Sequence, residues 1–326
     1  MLTEKLISTI LPVFNGERLL RRAIESVVAQ RLPQGWKSEL IIINDASSDS
    51  TAEVIESCRK RFAQEKTETE IRVISHTVNR GAAASQIDGM RAAKGNWLAR
   101  IDHDDVFPTG FLECLLDTAM SSGADIAVAP LLMVSADGKL IKRAIFTPQD
   151  HKPKGPYLNR MRLDTACFSL CNKLIRRELT VKTQLPENLD GLNCWDDVYI
   201  LTDILLSNPD IRISTQSIAP YIYTVNKAST SLTHSDRRII MADRIRCTEE
   251  ILKVAERKHL TKLLSPFLCQ LQLRAKANYL RGRRPRPAEW KRIFPIKAVE
   301  ILAAPRIALH HRIAMALIQM LMPDHR

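Results

Sequence analysis

Aromatic side chains are sparse in this chain, 5% of 326 residues. No nucleic-acid recognition motif accompanies them, which argues against a nucleic-acid partner. Cysteine pairs at C-x-x-C spacing are absent. The seven cysteines are an odd number, so no disulfide framework is indicated and free thiols in a reducing compartment are expected. Cys167 and Cys171 fall one helical turn apart, yet no Cys/His cluster completes a zinc site around them. Long apolar runs are missing too. The longest charge-free one near the C-terminus, IAMALIQMLM at 313–322, is too short to span a bilayer. The opening MLTEKLISTILPVFNGE has acids at Glu4 and Glu17 and no small-residue cleavage pattern, so no signal peptide is expected. No G-x-G-x-x-G follows the first apolar run, which excludes the usual dinucleotide-dependent oxidoreductase.

What is present is charge, unevenly placed. Of the formal net +12, residues 237–326 hold 20 Lys/Arg against 7 Asp/Glu, a net of +13, and residues 1–236 hold 28 against 29, a net of −1. Apolar content of 45% beside 26% charged residues is that of a globular chain. The length allows one large core, or one core with an appended subdomain.

Apolar runs and helical stripes alternate along the first part. ISTILPV (7–13), ELIIIND (39–45), IRVISH (71–76), NWLARID (96–102) and DIAVAPLLMV (125–134) read as strands. Between them, GERLLRRAIESVVAQ, TAEVIESCRKRFA, RGAAASQIDGMRAAKG and FLECLLDTAMSSG read as helices. Ser47, Ser48 and Ser50 with Asp49 offer caps to the second helix. Such alternation predicts an α/β fold with a mainly parallel sheet. Residues 135–165 read as loop, 168–179 as helix or strand–helix, 194–208 as helix and 212–225 as strand. From about 236 onward helices are expected, broken at RGRRPRP (281–287). The expected organisation is a domain over 1–235 and a basic helical region over 236–326.

In open α/β sheets ligands bind outside the carboxyl ends of the strands. Three such tails here are PVFN (12–15), NDASSD (44–49) and DHDD (102–105). Asp102, Asp104 and Asp105 repel one another unless a cation sits between them. An oxygen-rich, partly hydrated set of this kind suits Mg²⁺ or Mn²⁺, above all when phosphates add ligands; a capped turn is the plainer alternative. Asp45 either accepts hydrogen bonds from a base or ribose or caps the following helix. Asp196 and Asp197 begin a helix whose dipole favours their anions, while their proximity raises a pKa. One of them is a candidate general base.

Several stretches in order resemble family 2 glycosyltransferases, the inverting, nucleotide-sugar-dependent enzymes with a GT-A fold. They are ILPVFNGERLLRRAIESVVAQ, IIINDASSDST, NRGAAAS…GMRAAKGNWLARIDHDD, CNKLIRREL, WDDVYI and YIYTVNKASTS, covering roughly residues 7–232. The combination is specific, although no single piece is. The resemblance implies that Pro12, Val13 and Asn15 border the nucleotide and that Asp45 bonds the base. Asp102, Asp104 and Asp105 match the Asp-x-Asp element. Asp102 and Asp104 would lie on the donor, and Asp104 and Asp105 on a divalent metal, Mg²⁺ or Mn²⁺. Asp197 matches the general base, with Asp196 where the family usually has Glu. Asn172, Lys173, Trp195, Ser229 and Ser231 would lie toward the acceptor. The chain departs from the family at Gln86 and Ile87, where Arg-Asn is common; Gln cannot offer charge to a phosphate.

The expectation is an inverting, metal-dependent transfer from a nucleotide sugar, a UDP-sugar by preference, to a hydroxyl of a glycan or lipid-linked acceptor in surface polysaccharide or lipopolysaccharide synthesis. A nucleotidyltransferase is an alternative, though PVFNGERLL lacks that class's glycine-rich, Lys/Arg-bearing loop; a catalytically inactive sugar-nucleotide-binding module is another. The basic C-terminal region, with Ala314, Leu317, Ile318 and Leu321 on one helical face, suits either docking on an anionic membrane or packing on the catalytic domain. The expected location is cytoplasmic, and peripheral at the inner face of the cell membrane if the docking alternative holds.

Overall fold

A computed structural model describes residues 5–65, 67–144, 168–181, 183, 189–208, 210–225, 237–282, 296–304 and 309–321. These fall into two compact units, one from residues up to 225 and one from 237 onward.

In the first unit β1 (Lys5–Val13), β2 (Trp36–Asn44), β3 (Thr69–Ser75) and β4 (Trp97–Arg100) alternate with α1 (Leu20–Val28), α2 (Thr51–Gln64) and α3 (Ala82–Ala92). After β4 come α4 (Phe111–Ser122), β5 (Ile126–Val128), β6 (Leu131–Ser135), β7 (Leu140–Ala144), β8 (Lys173–Arg176), α5 (Glu178–Val181), α6 (Asp196–Ser207), β9 (Ile213–Thr215) and β10 (Tyr221–Val225). The large sheet runs β3-β2-β1-β4-β8-β5-β9 and a smaller one runs β10-β6-β7. Strands β1 to β4 pair in parallel, and β8 is inserted antiparallel between β4 and β5.

The period-two alternation of β1 decides which helices cover which face. Ile7, Leu11 and Val13 join Leu40 and Ile42 in a buried cluster with α1, α2 and α4. Ile10 points to the other face, where a Cβ added to Gly89 of α3 would lie 2.4 Å from its Cγ2. Glycine there lets α3 press onto the sheet. Because both faces are covered, ELIIIN of β2 needs no polar alternation, and the last seven residues of that nine-residue strand are buried. The winding reverses between β1 and β4, so the crevice beside their carboxyl ends is the place for a ligand.

Three expectations change. The single strand expected over 125–134 is two, because Pro130 ends its pairing in the large sheet and β6 joins the small one. The strand expected over 212–225 likewise divides into β9 and β10 in different sheets, with Pro220 between them. The loop expected over 135–165 contains β7, antiparallel to β6; its remainder from 145 lies outside the described residues.

The second unit contains α7 (Arg237–Arg257), α8 (Ser265–Gly282), α9 (Ala298–Ala303) and α10 (Leu309–Leu321). Its core gathers Leu273, Ala275, Ile296, Ile301, Ala304, Met315 and Ala316. Most of RGRRPRP lies outside the described residues.

Candidate active site

The first two strand tails are laced together. Asn15, at φ 52°, donates its N–H to Ser47 Oγ at 3.0 Å, and its Oδ1 accepts from Ser48 N at 2.9 Å. Gly16 N–H donates to Thr51 Oγ1 at 2.8 Å and Glu17 N–H to Asp49 Oδ2 at 3.1 Å. Ser50 holds the N-cap position of α2 but makes no side-chain cap bond; Asp49, through Oδ1, receives Thr51 N instead. Val13 is buried in the core and Pro12 is half-buried. Phe14 between them and Asn15 is 46% exposed, an aromatic face at the carboxyl end of β1 that the sequence reading passed over.

Asp45 is 3% exposed and its oxygens are taken by protein donors. Arg80 N–H and Gly81 N–H donate to Oδ1 and Oδ2 at 2.8 Å each, and His76 Nδ1 lies 2.7 Å from Oδ1. Asp45 therefore ties the loop that enters α3 to the end of β2, and each of its oxygens already accepts a hydrogen bond.

The acidic turn divides its labour. Asp105 is buried, its Oδ2 accepting from Tyr221 Oη at 2.6 Å and its Oδ1 from Thr224 N at 2.7 Å. Burial, then Asp102 and Asp104, pushes its carboxyl up to about 8. Each of its oxygens thus accepts one hydrogen bond from β10, which anchors the turn. Asp104 is half-buried and, among the described residues, accepts no hydrogen bond from another residue. Burial and the charge of Asp102 raise its pKa. Of the two acids expected on a metal, Asp104 is the one left open. The ring of His103 lies over Gly16, where an added Cβ would meet His103 Cδ2 at 3.0 Å, so the turn sits directly against the β1 tail.

Arg100, the last residue of β4, links this turn to α6. Its Nη2 lies 2.7 Å from Asp102 Oδ1 and 3.8 Å from Asp196 Oδ2. The side chain is 12% exposed. Burial works against its charge, but Asp102 and Asp196 overcome that and raise its pKa. The sequence reading missed it; the available signal was a lone cation closing an apolar strand beside three acids. Arg100→Met would leave two carboxylates without their partner and is expected to cost about 3 kcal/mol of stability, read as a lower urea midpoint at unchanged slope.

Trp195 takes φ 66°, a left-handed conformation rare outside glycine, and the helix begins on the next residue. Asp196 is buried, and burial raises its pKa against the pull of Arg100. Asp197, half-buried, accepts from Val198 N at 2.7 Å through Oδ1. Burial, then the charge of Asp196, pushes it up to about 7. A pKa raised toward neutrality suits a general base, which acts in its ionised form. Three of the four non-glycine residues with positive φ among those described, Asn15, Ala46 and Trp195, adjoin these segments.

Asn172 and Lys173 are interior, at 0% and 1% exposure. Asn172 Nδ2 donates to Ala129 O, and Lys173 Nζ donates to Ser169 O and to Asn172 Oδ1. That geometry clamps β8 to the end of β5. Ser229 and Ser231 lie outside the described residues.

The donor set at the turn is oxygen only, with one open carboxylate that burial and repulsion drive toward a cation. A hard divalent ion such as Mg²⁺ or Mn²⁺ fits it. Among the described residues no group of three or more His, Cys, Asp or Glu encloses a metal, so further ligands would come from phosphate and water.

The family described as Glycosyl transferase family 2 matches residues 8–182. The succinoglycan biosynthesis protein ExoO of Rhizobium meliloti (strain 1021) is 26% identical over 242 residues, 72% of this chain and 66% of that protein. The chain thus spans a little under two thirds of that relative's length. S. aureus TarS 1-349 in complex with UDP-GlcNAc aligns with a TM-score of 0.62 at 18% identity, over 96% of this chain and 90% of that one. The mannosyltransferase PcManGT from Pyrobaculum calidifontis, in complex with GDP-Man and Mn²⁺, gives 0.52 at 16% identity over 97% and 87%. At these identities the two structures show a shared fold.

Proposed function

The chain belongs to glycosyl transferase family 2, and from that membership and the geometry of the crevice we propose that it is an inverting glycosyltransferase acting on a nucleotide sugar. The observation that carries the mechanism is Asp197. It is a half-buried carboxylate at the head of α6, next to Asp196, which Arg100 links to the acidic turn, and burial with the charge of Asp196 raises its pKa.

The donor would lie across the carboxyl ends of β1 and β4, its base against the exposed ring of Phe14 and its diphosphate toward Asp104. A Mg²⁺ or Mn²⁺ ion held by Asp104 would offset the charge developing on the leaving diphosphate. Asp102, fixed by Arg100, presents its remaining oxygen to the donor. Asp197 takes the proton from an acceptor hydroxyl as that oxygen attacks the anomeric carbon from the face opposite the diphosphate. One carbon–oxygen bond forms as another breaks, and configuration inverts. The nucleoside diphosphate needs no proton to leave, so one base suffices.

A UDP-sugar is the proposed donor, supported by the UDP-GlcNAc complex of the similar TarS structure. The proposed acceptor is a hydroxyl of a growing surface glycan or its lipid-linked precursor, supported by the succinoglycan role in the name of ExoO. A thermal-shift panel of nucleotide sugars with and without Mn²⁺ tests the reading. A bound donor at a hundredfold excess over its Kd stabilises the folded state by about 2.7 kcal/mol, so one nucleotide class should raise the melting temperature, and more so with Mn²⁺. No shift with any donor would overturn the proposal.

A further inference from the structure

The second unit carries a feature that glycosyl transfer does not use. Helix α10 buries only Met315 and Ala316 among the residues it presents to its unit's core. Leu309, Ile313, Leu317 and Met320 recur every three or four residues and therefore share a face. That face is open: they are 60%, 44%, 46% and 59% exposed, and Leu321 beside them is 77% exposed. The adjoining helix α9 adds Val299 at 67% and Leu302 at 41%, and Arg312 Nη1 donates to Leu302 O at 2.6 Å, tying the two helices together. Exposed apolar side chains gathered on one helix face, with more on the adjoining helix, mark a candidate binding surface.

Charge decides among the occupants. Residues 237–326 carry a net +13. A second copy would bring the same positive charge to the interface, whereas an anionic lipid surface would be attracted by it and would also accept the apolar side chains. Among the described residues no helix is long and apolar enough to cross a bilayer, so the helix would lie on the membrane rather than through it. We infer that the outer face of α10, with Val299 and Leu302 of α9, is a docking surface for an anionic lipid bilayer. Ile313, Leu317 and Met320 enter the acyl boundary, and the basic side chains of the unit meet the headgroups. The sequence pattern had placed Ala314, Leu317, Ile318 and Leu321 on that face. The structure moves its centre to Ile313 and Leu317 and leaves Ile318 half-buried.

The inference is independent of the catalytic reading, because its test needs no donor or acceptor. The full chain is sedimented with vesicles of phosphatidylcholine alone and of phosphatidylcholine with phosphatidylglycerol, across a salt series. Binding is expected only with phosphatidylglycerol and should weaken as salt rises. The double variant Ile313→Asp, Leu317→Asp alters exposed side chains and spares Met315, so its melting temperature should stay near that of the parent. Its partitioning should fall by about tenfold or more. Equal binding to both vesicle types, no binding to either, or unchanged binding by the double variant would overturn the assignment. So would a concentration-dependent dimer that the double variant abolishes, since the face would then be covered by a second copy.

Discussion

Asp197→Asn is expected to lower the rate of transfer by on the order of 10²- to 10⁴-fold, the usual contribution of a positioned general base. The change is nearly isosteric. Asn can still accept from Val198 N through its amide oxygen, as Asp197 Oδ1 does at 2.7 Å, so the head of α6 should keep its shape. What is lost is the group that receives the acceptor's proton. Donor binding depends on the β1 tail and the acidic turn, and the donor Kd should stay within a few-fold of the parent. The pH profile gives a second readout. A base works only when ionised, and Asp197 is held up to about 7 by burial and the charge of Asp196, against the pull of Arg100. Activity should therefore rise as pH passes through about 7, level off above it, and fall about tenfold per unit below it. The asparagine variant should lose that dependence. Normal turnover by Asp197→Asn, or a flat profile in the parent across this range, would remove Asp197 from the mechanism.

Much of this architecture was legible because its strands are buried on both faces. Three isoleucines in a row at 41–43 have no amphipathic reading, and β2 lies inside the large sheet. The strand tails could be located for the same reason, since each apolar run ends abruptly in Asn or Asp. Less legible was anything decided by partners distant in sequence. Asp105 looked equivalent to Asp104, yet Tyr221 and Thr224, more than a hundred residues on, each donate to one of its oxygens. Arg100 was unremarked because its meaning lies in Asp196, 96 residues on, which only the folded chain brings near. Asn172 and Lys173 were expected toward an acceptor, but their bonds to Ala129, Ser169 and each other are invisible to spacing. The small sheet escaped notice because a proline in each of two apolar runs hands the chain from one sheet to another, and periodicity does not register a change of sheet.

Asp104→Ala separates the donor's hold from the proton's removal. Asp105 is held through both oxygens by β10 and Asp102 through one by Arg100, whereas Asp104 accepts no hydrogen bond from another described residue and is the carboxylate of the turn proposed to meet a cation. Its raised pKa, caused by burial and then by Asp102, means that these surroundings resist its ionisation. A divalent cation relieves that cost and a proton competes with it. Removing the side chain should therefore abolish the metal-dependent part of donor binding and leave the contacts made by the base. Loss of one charged contact is worth about 1.5–3 kcal/mol, or roughly one to two orders of magnitude in Kd. Titration calorimetry with a UDP-sugar should show that weakening with Mn²⁺ present and little difference from the parent without it. Because no bond of Asp105 or Asp102 is touched, the melting temperature should not fall and is expected to rise slightly as a buried repulsion is lost. If Asp104→Ala binds donor as the parent does in Mn²⁺, the cation is held elsewhere. If Asp105→Asn alone reproduces the loss without unfolding the turn, the division between the two acids must be reversed.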